Sequence, residues 1–221
     1  MSTILPDAIP TEWTMADVQA RLVGFPPDRI RTYPSPGTAT EEDLLAAESR
    51  SNRICELIDG TLVEKTMASI ESALAAALIH FLYLYADTRR LGMVLAPDGM
   101  LKILPGQIRA PDVSFIRWER FPGRQPFNLP IFPVVPDLAV EVLSANNTAI
   151  EMDRKLHDYF AAGVRLVWYI EPSTCTARAY TAADQWTAIG PGDSLVGGEV
   201  LPGFELPLAE LFAWVQEPGE A

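Results

Sequence analysis

Between residues 68 and 85 the chain reads ASIESALAAALIHFLYLY, with apolar side chains recurring all round and no glycine or proline among them. That pattern predicts a long, largely buried helix. The segment CELIDGTLVEK has two apolar-alternating arms around Asp59-Gly60, the signature of a β-hairpin. A second hairpin is expected over residues 92–104, turning at Asp98-Gly99, followed by strands at 110–117 and 138–143 with a proline-rich loop, 121–136, between them. Thr148 and Glu151 have capping-box spacing and open a helix that Gly163 stops. The apolar run 164–170 then has the pattern of a central strand covered on both faces. Further short strands follow, punctuated by Pro191-Gly192 and Gly197-Gly198, and a last helix is expected at 208–215.

The beginning of the chain reads differently. Residues 1–37 form a proline-rich lead-in with a short helix around 15–22, and a helix capped by Thr40 and Asp43 should run from 41 to 49. No internal repeat or interdomain linker is visible. The 221 residues therefore divide into a lead-in with short helices (1–50), one domain (51–215) and a C-terminal tail (216–221). The order of elements predicts an α/β fold with a mixed β-sheet flanked by helices.

Composition narrows the class. Hydrophobic residues at 48% and charged residues at 21% exclude wholesale disorder and leave enough apolar surface for a core. No run reaches the eighteen or so uninterrupted apolar residues of a membrane helix, and MSTILPDAIPTEW lacks a basic region followed by an apolar one. A cytoplasmic protein with no membrane partner is the expectation. Cys55 and Cys175 are far apart; reduced packing thiols are favoured over one long-range disulfide. His80 and His157 share no ligand spacing with them, which argues against zinc.

The net charge of −12 disfavours a broad basic face for duplex nucleic acid. The acidic excess lies at the two ends, however. Residues 101–165 hold eight basic side chains (Lys102, Arg109, Arg117, Arg120, Arg124, Arg154, Lys155 and Arg165) against seven acidic ones.

Several ionisable residues stand where the pattern calls for apolar ones. Glu141 interrupts Leu-Ala-Val-Glu-Val-Leu, and a carboxylate buried there must be paired or bind a metal. Asp112 follows Pro111 at a strand start. Glu71 lies on the long helix with Leu74, Ala75 and Leu78 on the same face, and Lys155 flanks the stripe Met152, Leu156 and Tyr159. Each has a plain structural alternative: a solvent-facing strand glutamate, a Pro-Asp turn, a partly exposed helix glutamate, a snorkelling lysine. Glu56, opening a hairpin arm, is a fifth candidate with an equally plain alternative as an edge carboxylate. Asn146 and Asn147 suit a phosphate contact or a loop and cap, and His157 reads as a helix-surface residue. Carboxylates on adjacent strands make an oxygen-rich seat for a hard divalent cation, and a lysine beside them can orient a water or stabilise charge on a phosphoryl group.

CELIDGTLVEK, APDVSFIR, PDLAVEVLS and DRKLHDYFAAGVRLVWYI together resemble the Uma2-type restriction-endonuclease-like proteins of bacteria, within the PD-(D/E)XK nuclease superfamily, over roughly residues 50–212. The resemblance implies a restriction-endonuclease-like core. It matches Pro111-Asp112 to the PD element and Glu141 to the second acidic residue; Leu143 stands where a lysine is usual, and Lys155 on the next helix takes its place. Glu71 would be the helix acid, holding a water or second ion. The implied activity is Mg2+-dependent (or Mn2+-dependent) hydrolysis of DNA phosphodiesters, with Asp112 and Glu141 as metal ligands, Lys155 positioning the attacking water, and a homodimer suited to double-strand cutting. A non-catalytic binding or assembly module on the same fold, and a hydrolase of another nucleic acid or nucleotide, are the alternatives.

Overall fold

The computed structural model describes residues 13–51 and 53–215, so the expected tail at 216–221 and the first twelve residues of the lead-in lie outside the described residues. In the lead-in, α1 (Met15–Arg21) is capped by Thr14 and Asp17 in a complete capping box. Thr40 and Asp43 exchange the same pair of hydrogen bonds, at 2.9 and 3.3 Å, to start α2 (Glu41–Ser51). The hairpin forms as its sequence predicts. β1 (Cys55–Ile58) pairs antiparallel with β2 (Thr61–Glu64), and Asp59 and Gly60 take φ of 48° and 70°, as a primed two-residue turn requires. Val18, Leu22 and Phe25 of the lead-in pack on Ile58 and Val63 of this hairpin.

α3 (Ser69–Arg89) begins where expected and runs one turn further, until Arg90 adopts a left-handed conformation. By length and apolarity alone it would suffice to cross a membrane, but Leu74, Leu78 and Leu82 are fully buried, clustered with Phe115, Val140 and Trp168 of a sheet. It is the core helix of this fold.

Residues 92–104 do not form the expected hairpin. β3 (Gly92–Leu95) pairs with β6 (Val113–Arg117), whereas β4 (Leu101–Leu104) turns at Pro105-Gly106 and pairs with β5 (Gln107–Arg109) in a different sheet. Gly106, at φ 70°, gives β4 a partner across a two-residue connection, a shorter closure than returning over residues 96–100 to β3. The strand expected at 110–117 starts three residues late, at Val113, and a separate short strand precedes it. Pro111 has no N–H to offer a ladder, so β5 stops at Arg109, β6 starts at Val113, and Ala110-Pro111-Asp112 is the joint between two sheets.

The larger sheet has the order β10-β9-β8-β7-β6-β3, completed by β7 (Leu138–Val142), β8 (Leu166–Glu171), β9 (Thr176–Ala182) and β10 (Gln185–Ile189); the smaller is β2-β1-β5-β4. β7 and β8 run parallel, joined by the crossover helix α4 (Ala149–Ala162), and their neighbours are antiparallel, so the sheet is mixed. A two-stranded ribbon, β11 (Ser194–Val196) with β12 (Glu205–Pro207), precedes α5 (Leu208–Ala213). α3 and α5 cover the face of the large sheet bearing Leu138, Val140 and Val142; α4 covers the face bearing Ala139 and Leu143. This is an α/β fold with a mixed sheet flanked by helices. No disulfide joins Cys55 and Cys175.

Only half of the capping box at Thr148 forms. Thr148 Oγ1 accepts the Glu151 amide hydrogen at 3.1 Å, but the Glu151 carboxylate turns instead to Arg29, which donates to both its oxygens at 2.9 and 2.8 Å. A buried, bidentate, charge-assisted pair outcompetes the second cap bond. It also ties the lead-in to the first turn of α4.

Candidate active site

Alternation along β7 places Glu141 on the α4 face, in step with Ala139 and Leu143. The β6/β7 register sets Val113 opposite Val140, and its continuation sets Asp112 opposite Glu141. Asp112 is fixed there by the Val142 amide, which donates to its Oδ2 at 2.7 Å. From α4, Lys155 brings Nζ to 2.9 Å from Glu141 Oε1 and 3.2 Å from Glu56 Oε1. Tyr159, one turn on, donates its hydroxyl to Glu141 Oε1 at 2.5 Å.

The smaller sheet supplies the remainder. Glu56 on β1 accepts from Arg109 at 2.9 Å and from the Ala110 amide at 3.1 Å. Arg109 on β5 also donates to Asp158 of α4. Lys65, just past β2, lies 2.7 Å from Asp112 Oδ1 and donates to the Ala110 carbonyl at 2.5 Å. The joint at Ala110-Pro111-Asp112 therefore brings carboxylates from two sheets and ammonium groups from a hairpin and a helix into one network.

Burial sets the proton affinities of these groups, and the partners then divide them. Burial alone would raise the Glu56 carboxyl, but Lys155, Arg109 and Lys65 outweigh it and hold that group far below the ordinary carboxylate range. Burial would lower Lys155, yet Glu141 and Glu56 outweigh it and keep the ammonium firmly protonated. Glu141 goes the other way. Burial raises its pKa; Lys155, shared with Glu56, offsets this only in part, and Asp112 adds like charge. Tyr159 is raised well above a free phenol by burial and by Glu141, so it stays a neutral donor.

The acid-side consequence can be measured. The native pKa of Glu56 lies below its unfolded value of about 4.3, so ionised Glu56 contributes stability above that value and loses it as pH falls toward the native pKa. Glu56→Gln should be less stable than the unaltered chain at pH 7, and the two should converge as pH drops below about 4. Urea melts from pH 7 to pH 3 read this directly; parallel curves would mean that Glu56 is not held ionised.

Of the residues singled out by sequence, Asp112, Glu141, Lys155 and Glu56 come together. Glu71 is not hydrogen-bonded or ion-paired to them. It is buried in the first turn of α3, a helix packed on the opposite face of the large sheet from α4; its Oε2 has no hydrogen-bond partner, and no described hydrogen bond or ion pair links it to the network. His157 is exposed, its Nδ1 2.9 Å from the Asp153 carbonyl, and Asn147 is occupied in a turn with Ser144. Sequence reasoning missed Lys65, Arg109 and Tyr159 as members. For Lys65 a signal was present: Glu56 pairs with Val63 across the hairpin, so Lys65, two residues on, shares its face. Arg109 gave none, because its partners depend on the unexpected pairing of β1 with β5.

Among the described residues, no three His, Cys, Asp or Glu side chains come close enough to cage a metal ion. The donor set nonetheless fits a hard divalent cation of the magnesium type, which takes one or two carboxylates and fills its shell with water and phosphate oxygens. Asp112 and Glu141 are such a pair, and Glu141 Oε2 accepts no hydrogen bond from a described residue.

Comparisons with known proteins agree with this architecture. The family model Uma2, described as "Putative restriction endonuclease", matches residues 41–209. A solved structure from Anabaena variabilis, titled as a "putative nuclease belonging to DUF820", is similar in fold with a TM-score of 0.67 at 19% identity, covering 75% of this chain and 93% of its own. No curated protein matches the chain.

Proposed function

We propose, because the chain belongs to the Uma2 family, that its buried ionic network is the active site of a metal-dependent endonuclease hydrolysing DNA phosphodiester bonds. The observation that carries this reading is the meeting of Asp112, just ahead of β6, with Glu141 on the adjacent β7, and of Lys155 Nζ with Glu141 at 2.9 Å. Asp112 and Glu141 would hold Mg2+ or Mn2+. A bound cation of this kind supplies Lewis acidity toward a phosphoryl oxygen.

The chain's own groups do the positioning. Glu56 and Glu141 fix the Lys155 ammonium from two sides, and because it is held protonated it serves as a hydrogen-bond donor and cation rather than a base. In that role it orients the attacking water or meets charge developing on the phosphate. Tyr159 locks the Glu141 carboxylate from the same helix. Arg109 holds Glu56, and through it Lys155, from behind. Glu71, joined to none of these groups, is left out of the assignment.

The test is cleavage of duplex DNA, single-stranded DNA and RNA with Mg2+ or Mn2+. Cleavage of DNA should disappear with a chelator and in Asp112→Asn. Cleavage indifferent to both would remove the site. Binding without cleavage of any substrate would favour the non-catalytic module, and cleavage of RNA alone the other hydrolase. The net charge of −12 makes the substrate comparison informative, since phosphate attraction must then be local to the site.

A further inference from the structure

Both oxygens of Asp112 are already engaged. Oδ2 takes the Val142 amide hydrogen at 2.7 Å, and Oδ1 lies 2.7 Å from Lys65 Nζ. The same ammonium donates to the Ala110 carbonyl at 2.5 Å, and the Lys65 side chain is only 7% exposed. A carboxylate oxygen and a backbone carbonyl converging on one point are also what a hard divalent cation seeks. The seat at Asp112 is thus filled by a cation that the chain itself carries.

We propose that Lys65 is an internal counter-cation that occupies the Asp112 seat in the metal-free protein and yields it when a divalent cation enters, thereby setting the affinity for that cation. The inference deepens the reading of Asp112 as a metal ligand and rests on it.

Three physical points support it. A buried aspartate without a cation is costly, so the metal-free protein needs a substitute at this position. Lysine suits a seat that must be vacated: its charge is a point on a flexible four-carbon stem, and it makes no rigid bidentate fork. The backbone of Lys65 is anchored independently, its amide donating to the Ile54 carbonyl at 2.9 Å, so the side chain can leave while the hairpin stays. The charges balance accordingly. Glu56, Asp112, Glu141 and Asp158 against Lys65, Lys155 and Arg109 leave one negative charge. A divalent cation turns this into one positive charge, the complement of a single phosphodiester. Lys65, still tethered at the edge of the site, remains part of that sum.

The experiment is calorimetric titration of the full chain with Mg2+ and with Mn2+, alongside thermal melts in chelator and in saturating Mg2+. Lys65→Met removes the competitor and should bind the cation at least about tenfold more tightly. It should melt below the unaltered chain in chelator and regain most of the difference in Mg2+. Lys65→Arg, whose fork grips a carboxylate at two points, should bind the cation more weakly. A merely structural lysine gives another result: Lys65→Met equally destabilised with and without Mg2+, at unchanged affinity, and that overturns the proposal. If Lys65→Met fails to fold, the Lys65→Arg titration decides, and unaltered or tighter binding there overturns it as well. Asp112→Asn separates this inference from the reading beneath it. Binding that depends on Asp112 but is indifferent to Lys65 defeats the counter-cation alone. Absence of any Asp112-dependent binding defeats the metal site and this inference with it.

Discussion

Lys155→Met is expected to lower the rate of DNA cleavage by about a hundredfold to a thousandfold, the usual loss when one preorganised donor is removed from a reacting centre. Lys155 is the group that joins the two sheets' carboxylates, 2.9 Å from Glu141 and 3.2 Å from Glu56. Methionine fills a similar volume without charge, so the space is kept and the donor lost. The carboxylates it leaves behind are buried, and some stability goes with it. Lys155→Arg separates the two effects: it preserves the charge, and with it most of the stability, but carries a planar fork in place of a point donor. The arginine variant should therefore melt near the unaltered chain while still losing most of its turnover. Single-turnover cleavage beside thermal melts reads both. A Lys155→Met enzyme that cuts at the unaltered rate would take Lys155 out of the mechanism.

The elements that repeat a local rule were legible from the sequence. The Asp59-Gly60 hairpin, the Thr40 cap, the core helix α3 and the Gly163 stop each depend on a few adjacent residues, and each forms. What could not be read was long-range choice. Residues 92–95 and 101–104 have matching arms around a favoured turn, yet they join different sheets because Pro105-Gly106 offers the second arm a nearer partner. The same choice hid Arg109, which meets Glu56 only because β5 pairs with β1.

The site shows the same division. A carboxylate inside an apolar strand and an aspartate after a proline announce a cost that something must offset, so Glu141 and Asp112 stood out. Lys65 and Arg109 are what offsets it. Surface lysines and arginines resemble them in sequence, since their burial is decided by how two sheets meet. Glu71 shows the converse. Its apolar helix neighbours correctly mark it as buried, but periodicity does not say which face of the sheet the helix covers, and α3 covers the one opposite α4.

Arg109→Met should cost about 3–5 kcal/mol of folding stability, the range for removing one partner from a buried ion pair. Arg109 is fully buried and donates from separate nitrogens to Glu56, at 2.9 Å, and to Asp158. Burial would depress its proton affinity, but those two carboxylates more than reverse the effect, so it is a permanent cation in the interior. Without it Glu56 keeps Lys155 and the Ala110 amide, whereas among the described residues Asp158 keeps only Arg154, at 3.9 Å. The penalty is a large fraction of the roughly 5–15 kcal/mol that holds a domain together. Part of it comes from the carboxylates left behind and not from the lost bonds, so neutralising Glu56, the more deeply buried of the two, should return some of it. Arg109→Met combined with Glu56→Gln should be more stable than the sum of the two single losses predicts, with a coupling of about 0.5–3 kcal/mol. Urea unfolding of the four proteins at pH 7 closes the cycle. A single Arg109→Met loss below about 1 kcal/mol, or strict additivity, would mean that the guanidinium contributes little to holding the Glu56 carboxylate charged beside Lys155 and Lys65.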